Sequence, residues 1–227
     1  MRLTRNLLFA LLFTATTLLA QQKTNSFEGE IRRFEASDKT NSPPKNAILF
    51  LGSSSIRMWK DVAKDFPSYD VINRGFGGSQ ISDSIYFADR IVFPYEPATI
   101  VFYAGGNDIN AGKSAETVFA DYQTLVAKIH AKLPKTHIAY ISIAPNPARW
   151  KQIDRIRRAN ELIENFTRTD ARLSFINAHA QMLGDDGKPK PDIVLADRWH
   201  MNDKGYAIWK EVVGAHLSRV AASSTRK

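Results

Sequence analysis

Four short stretches of this 227-residue chain place reactive residue types where they could do chemistry. The first is Gly52-Ser53-Ser54-Ser55. A serine hydroxyl is a poor nucleophile until a base removes its proton. Ser54, set where a strand should enter a helix, would have free backbone N–H groups and the positive helix end beside any developing oxyanion. On residue types alone any of the three serines could react, and the run could also be a capping turn or a weak phosphate cradle. It lacks the Lys of a P-loop and the third Gly of a dinucleotide fingerprint, so nucleotide binding is set aside.

A base is offered by Asp197-Arg198-Trp199-His200. A carboxylate three positions before an imidazole can accept its Nδ1–H and leave Nε2 free to take a proton. The competing reading makes Asp197 the cap of the last helix and His200 a surface residue. Acyl transfer also needs preorganised donors for its tetrahedral intermediate. Gly78, in Asn73-Arg74-Gly75-Phe76-Gly77-Gly78-Ser79, could offer its N–H. Asn107, in Gly105-Gly106-Asn107-Asp108, could offer its side-chain amide. A tight turn and a helix cap account for the same residues without chemistry. His130, His137, His179 and His216 have no comparable partner and read as packing or exposed residues. The absence of Cys excludes thiol nucleophiles, disulfides and Cys-ligated metals, and the five His form no His-Glu-x-x-His zinc motif.

These stretches need a scaffold that brings them to one rim. Short apolar runs at Ala47–Leu51, Asp70–Ile72, Thr99–Tyr103, His137–Ile143 and Leu173–Ile176 read as strands buried on both faces. Between them, helical spacing runs through Met58–Asp65, Ser82–Phe93, Ala115–Lys132 and Arg149–Asp170, and a last helix covers about Asn202–Ala221. Alternating β and α elements predict an open, doubly wound α/β/α sandwich around a five-stranded parallel sheet. Binding crevices in such sheets lie beyond the carboxyl ends of the strands. All three glycine-rich stretches fall there.

The ends of the chain and its charge bound the setting. Met1–Ala20 combines a basic start, an apolar run and a small last residue, the pattern of a secretory signal peptide cleaved after Ala20; an uncleaved anchor is the alternative. The apolar run is short for a membrane span, which takes about 20 residues. Export to the periplasm or the exterior follows, with no stable membrane insertion once the signal is removed. The chain carries a formal net charge of +8, much of it in Arg149, Lys151, Arg155, Arg157, Arg158, Arg168 and Arg172. Ile153, Ile156, Leu162, Ile163 and Phe166 alternate with these at near-helical spacing, so a solvated helix face is preferred over nucleic-acid binding.

With these residues in place, the chain resembles the GDSL-type (SGNH) esterases and acylhydrolases from about Ile48 to Tyr206. Gly52-Ser53-Ser54-Ser55-Ile56 is similar to the family's Gly-Asp-Ser-Leu block, and Asn73 to Gly78 to its Asn-x-Gly-x-x-Gly. Gly105 to Asp108 matches Gly-x-Asn-Asp, and Asp197 to His200, followed by Gly205-Tyr206, matches Asp-x-x-His. The resemblance implies a flavodoxin-like SGNH hydrolase fold and catalytic residues Ser54, Asp197 and His200. It further implies an oxyanion hole from Ser54, Gly78 and Asn107, and needs no cofactor or metal. Ser53 stands where the family usually has Asp, which puts the role of that carboxylate in doubt.

The domain would span 45–221, after an N-terminal segment 21–44 and before a tail 222–227. No lid-like apolar insertion interrupts it, favouring short acyl groups on a small-molecule or carbohydrate ester; platelet-activating-factor-like phospholipids are a second class. Trp150 could stack on a sugar and Arg149 bind an anion, or they could be a packing Trp and a solvated Arg. A non-catalytic carbohydrate- or partner-binding module and an O-acyltransferase remain as alternatives, and the oligomeric state is not set by the sequence.

Overall fold

The computed structural model describes residues 26–224. The signal peptide expected over residues 1–20 and the end of the tail, 225–227, lie outside the described residues. In chain order the elements are α1 (Glu28–Thr40), β1 (Ile48–Gly52), α2 (Ser54–Met58), α3 (Val62–Asp65), β2 (Val71–Gly75) and α4 (Ile81–Ile91). There follow β3 (Thr99–Tyr103), α5 (Gly106–Asn110), α6 (Ala115–Lys132), β4 (His137–Ile141), α7 (Ile153–Thr167), β5 (Leu173–Ile176), α8 (Ala178–Gln181) and α9 (Asp203–Ser224).

The five strands form one sheet in the order β2-β1-β3-β4-β5, every neighbouring pair parallel. Alternate residues along each strand supply two cores. Leu49, Leu51, Ile100, Phe102, Ile138 and Tyr140 face the layer of α1, α4, α6 and α7. Phe50, Val101, Ala139 and Ile141 face the layer of α2, α3, α8 and α9, where Trp59 and Trp209 are almost fully buried. Each large apolar side chain buried this way stabilises the fold by about 1.5–3 kcal/mol. The chain leaves β1 for β2 on one side and returns to β3 on the other, so the reversal of strand order falls at the carboxyl end of β1.

The sandwich is the one expected; β4 stops at Ile141 and not Ile143, the short helices α5 and α8 are added, and four further differences bear on how the layers are held. β2 runs on to Gly75, so Asn73 and Arg74 lie within a strand and not in the loop after it. The helix expected over Met58–Asp65 is broken into α2 and α3. The break is filled by Asn73, whose Nδ2 donates to the carbonyls of Ile56 (2.8 Å) and Trp59 (3.3 Å). The helix expected from Arg149 starts at Ile153, after a 3₁₀ turn over Pro147–Gln152 in which Asn146 Oδ1 accepts the Arg149 N–H at 2.9 Å.

The fourth difference is α1, which falls inside the segment 21–44 placed before the domain. Its Ile31 and the preceding Phe27 enter the core. Its Glu28 and Glu35 hold Arg90 of α4 at 2.7 and 2.6 Å, and its Asp38 pairs with the buried Arg74 of β2. The basic face of α7 follows expectation: Ile156, Ala159 and Ile163 are buried, while Arg158 pairs with Glu161 and Arg168 with Glu164. Arg149 departs from it and is buried.

Candidate active site

Strand register sets the site. Gly52, the last residue of β1, pairs with Gly75 of β2 and with Tyr103 of β3. The three loops that follow therefore leave adjacent strands at one level. Gly52 itself cannot carry a side chain: at φ +146° a Cβ would lie 1.9 Å from the Tyr103 carbonyl oxygen. This close approach lets the chain turn directly from β1 into α2, with Ser54 as the first helical residue. Ser53 is buried, its N–H donating to Tyr103 O at 3.1 Å and its carbonyl accepting from Ile56 and Arg57. Among the described residues, the Ser54 N–H donates to no protein acceptor, as befits the first turn of a helix.

Ser54 Oγ lies 3.0 Å from His200 Nε2. Of the three serines it is the one that meets an imidazole; the Ser55 carbonyl instead accepts from the Tyr206 hydroxyl at 2.9 Å. His200 Nδ1 is 2.7 Å from Asp197 Oδ2, and the other carboxylate oxygen accepts the N–H groups of Trp199 (2.8 Å) and His200 (2.9 Å). The hydrogen bond from His200 holds the Asp197 carboxyl down at about 2. Hydroxyl, imidazole and carboxylate thus stand in one line, with a charged group behind the ring.

The loop that carries His200 is closed by a bridge between Val194 and Met201. Asn202, not Asp197, caps the last helix: its Oδ1 accepts from the N–H groups of Lys204 and Gly205. That removes the helix-cap reading of Asp197.

On the neighbouring loops, Gly78 is exposed and left-handed (φ +77°), a backbone suited to Gly. Its N–H, too, meets no acceptor among the described residues. Asn107 lies beside it, its Nδ2 donating to Ser79 O at 3.0 Å. Behind both, the fully buried Asp108 accepts the Ile81 N–H at 3.3 Å and pairs with Lys113 at 2.8 Å. Burial pushes its carboxyl up, and Lys113 opposes that shift. Asp108 so ties the start of α4 to α5, keeping the Gly78-Ser79 turn against Asn107.

The pattern of the GDSL-like lipase/acylhydrolase family matches residues 50–208, from within β1 to the first turns of α9. The chain belongs to that family. Solved structures share the GDSL fold at low identity. A Streptococcus pneumonia protein provisionally assigned as a platelet activating factor has a TM-score of 0.75 at 17% identity, over 90% of this chain and 99% of its own. A GDSL-like lipase from Bacteroides thetaiotaomicron gives 0.70 at 19%, over 84% and 98%. An acetyl-xylooligosaccharide esterase from Geobacillus Stearmophilus gives 0.61 at 13%, over 75% and 94%. No curated protein matches the chain.

The contacts that Arg149 and Trp199 make beside the GDSL site were not foreseen from the residue pattern. Arg149 is buried, its Nη1 donating to Gly106 O at 2.8 Å and its Nη2 to Asn107 Oδ1 at 3.1 Å. Its guanidinium carbon lies 3.6 Å from the centroid of the Trp199 ring, which stacks on His200 at 4.6 Å. The signal that pointed to Arg149 was its position just beyond the fourth strand; nothing local paired it with Trp199. Trp150 is half-buried beneath Arg157. The other four histidines hold structure: His130 meets Thr136 O, His179 meets Ile143 O, and His137 and His216 share Ser174. Among the described residues no group of three or more His, Cys, Asp or Glu could hold a metal ion, and no helix is long and apolar enough to cross a membrane.

Proposed function

We propose that this family member is an exported serine esterase that cleaves short-chain, foremost acetyl, esters of carbohydrate or lipid-like alcohols. The observation that carries the proposal is the 3.0 Å contact between Ser54 Oγ and His200 Nε2, with Asp197 2.7 Å behind the ring. His200 takes the Ser54 proton as Oγ attacks the acyl carbonyl. The Ser54 and Gly78 N–H groups and the Asn107 amide receive the oxyanion. Collapse expels the alcohol, which leaves with the proton from His200 and a Ser54 acyl ester behind. Water then gives a proton to His200 as it attacks that ester, and His200 returns the proton to Ser54 Oγ as the acyl–Oγ bond breaks and the acid leaves.

Two features favour hydrolysis of small groups. The Asp197 side chain is 45% exposed, so the line from Ser54 through His200 opens at its outer end to solvent, the source of the water that hydrolysis needs. No lid-like apolar insertion interrupts the GDSL blocks to cover a long acyl chain. The acetyl-xylooligosaccharide esterase that shares the fold lends support to acetylated sugars as substrates. Export rests on the signal-like start of the sequence.

Ser54→Ala tests the reading. It should abolish hydrolysis of p-nitrophenyl acetate and labelling by a fluorophosphonate probe while thermal stability is kept. Unchanged turnover would remove Ser54 as nucleophile, and a wild-type protein that takes no label would instead be a binding module. Product analysis with competing sugar acceptors separates transfer from hydrolysis.

A further inference from the structure

Arg149 is a cation buried at the site without a counter-charge. It is 7% exposed, and among the described residues its side-chain hydrogen bonds go to uncharged acceptors and no ion pair joins it to a carboxylate. Burying a charge unpaired is costly, and such groups are kept where they act on something. Its contacts are all directed at the site. One nitrogen donates to Gly106 O, another to Asn107 Oδ1, and the planar face covers Trp199. The imidazole of His200 stacks on the same indole at 4.6 Å. Arginine and imidazole must lie on opposite faces of it, because on one face they would collide. The indole therefore sets the plane in which the guanidinium meets Asn107.

We propose that Arg149 is a positioning residue that orients and polarises the Asn107 amide as an oxyanion donor. An amide can sit in its pocket in two orientations, exchanging its O and NH₂ ends. Here the guanidinium and the Ser79 carbonyl settle the choice together, since a flipped amide would set donor against donor at one end and acceptor against acceptor at the other. With Oδ1 taken by Arg149 and one Nδ2 hydrogen given to Ser79 O, the second Nδ2 hydrogen is left for the substrate. The fixed positive charge 3.1 Å from Oδ1 draws electron density away from Nδ2 and strengthens that donor. Burial pushes the guanidinium down to about 10, so it stays charged at neutral pH. Because the oxyanion bears its charge after attack, the effect falls on kcat and not on KM. A lysine cannot serve two acceptors and stack on the indole together.

The inference rests on the esterase reading, and a double-mutant cycle tests it separately. Wild type, Arg149→Met, Asn107→Ala and the double variant are assayed for kcat and KM on p-nitrophenyl acetate, with Tm measured for each. Asn107→Ala should lower kcat about 10²-fold, and Arg149→Met about 10- to 10²-fold with KM nearly unchanged. The double variant should be no slower than Asn107→Ala alone, because Arg149 then has nothing to orient. Guanidinium added to Arg149→Ala should restore part of kcat.

Losses that multiply, or a change confined to KM, would overturn the role of Arg149. Where Arg149→Met does not fold, Arg149→Lys goes through the same cycle with the same expectation. Turnover retained by Ser54→Ala would sink the esterase reading itself, whatever the cycle gives. A dead Ser54→Ala with multiplying losses would sink the inference alone.

Discussion

Replacing Asp197 by Asn tests the hydrogen-bonded line behind Ser54, and the structure dictates how it should fail. Asp197 Oδ1 accepts two backbone N–H groups, from Trp199 at 2.8 Å and His200 at 2.9 Å. In Asp197→Asn the amide oxygen must take that position, because an NH₂ there would face two donors. The NH₂ is then forced onto the place of Oδ2, 2.7 Å from His200 Nδ1. Facing a donor, Nδ1 must become the acceptor, so the ring proton moves to Nε2. That nitrogen is the one 3.0 Å from Ser54 Oγ, and it could now donate to the hydroxyl but not take its proton.

The fold should be untouched, since every hydrogen bond still has a donor and an acceptor. Activity should not survive. The same tautomer error in serine proteases lowers kcat by about 10⁴, equivalent to about 5 kcal/mol of transition-state stabilisation. The assay is kcat for p-nitrophenyl acetate at neutral pH, with Tm as the control for folding. A kcat within tenfold of wild type would refute the reasoning, because some other group would then be setting the tautomer of His200.

Two predictions concern stability. Asp38→Ala leaves the guanidinium of Arg74, 8% exposed, without its carboxylate, and Tyr95 without the acceptor of its 2.5 Å hydroxyl bond. Breaking a buried pair from one side costs about 3–5 kcal/mol. A urea-denaturation loss below about 1 kcal/mol would show that α1 is not held through Arg74. Burial pushes His216 from 6.5 down to about 4, so between those values the folded chain binds fewer protons than the unfolded one. Its contribution is present above pH 6.5 and is lost as pH falls towards 4. Tm measured across that window should decline less steeply in His216→Gln, which keeps a partner for Ser174; equal slopes would refute the assignment.

Much of the scaffold was legible because it is written in local patterns. The run at Thr99–Tyr103 matches β3 to the residue, since a strand buried on both faces needs continuous apolar sequence, and Leu173–Ile176 matches the edge strand β5 equally well. The four site blocks were legible as well, three as glycine-rich turns after strands and the fourth as a carboxylate three positions before an imidazole. What stayed hidden lay in side chains acting across the sheet. Asn73 looked like loop, yet its amide caps carbonyls of α2 from inside β2. The polar sequence of α1 gave little sign that Ile31 alone would be fully buried and Asp38 paired with Arg74.

Residue order by itself determined the strand–helix alternation, and on residue types alone it narrowed the proposed nucleophile to three adjacent serines, from which the family resemblance picks Ser54. Tertiary structure decided which of them meets His200, 146 positions along the chain, and it turned Arg149 from a solvated cation into a buried one. The division has one physical cause. Periodicity and turn chemistry act within a few residues of each other. The meeting of distant side chains depends on sheet register and on which face each helix buries, and both are settled only when the whole core packs at once.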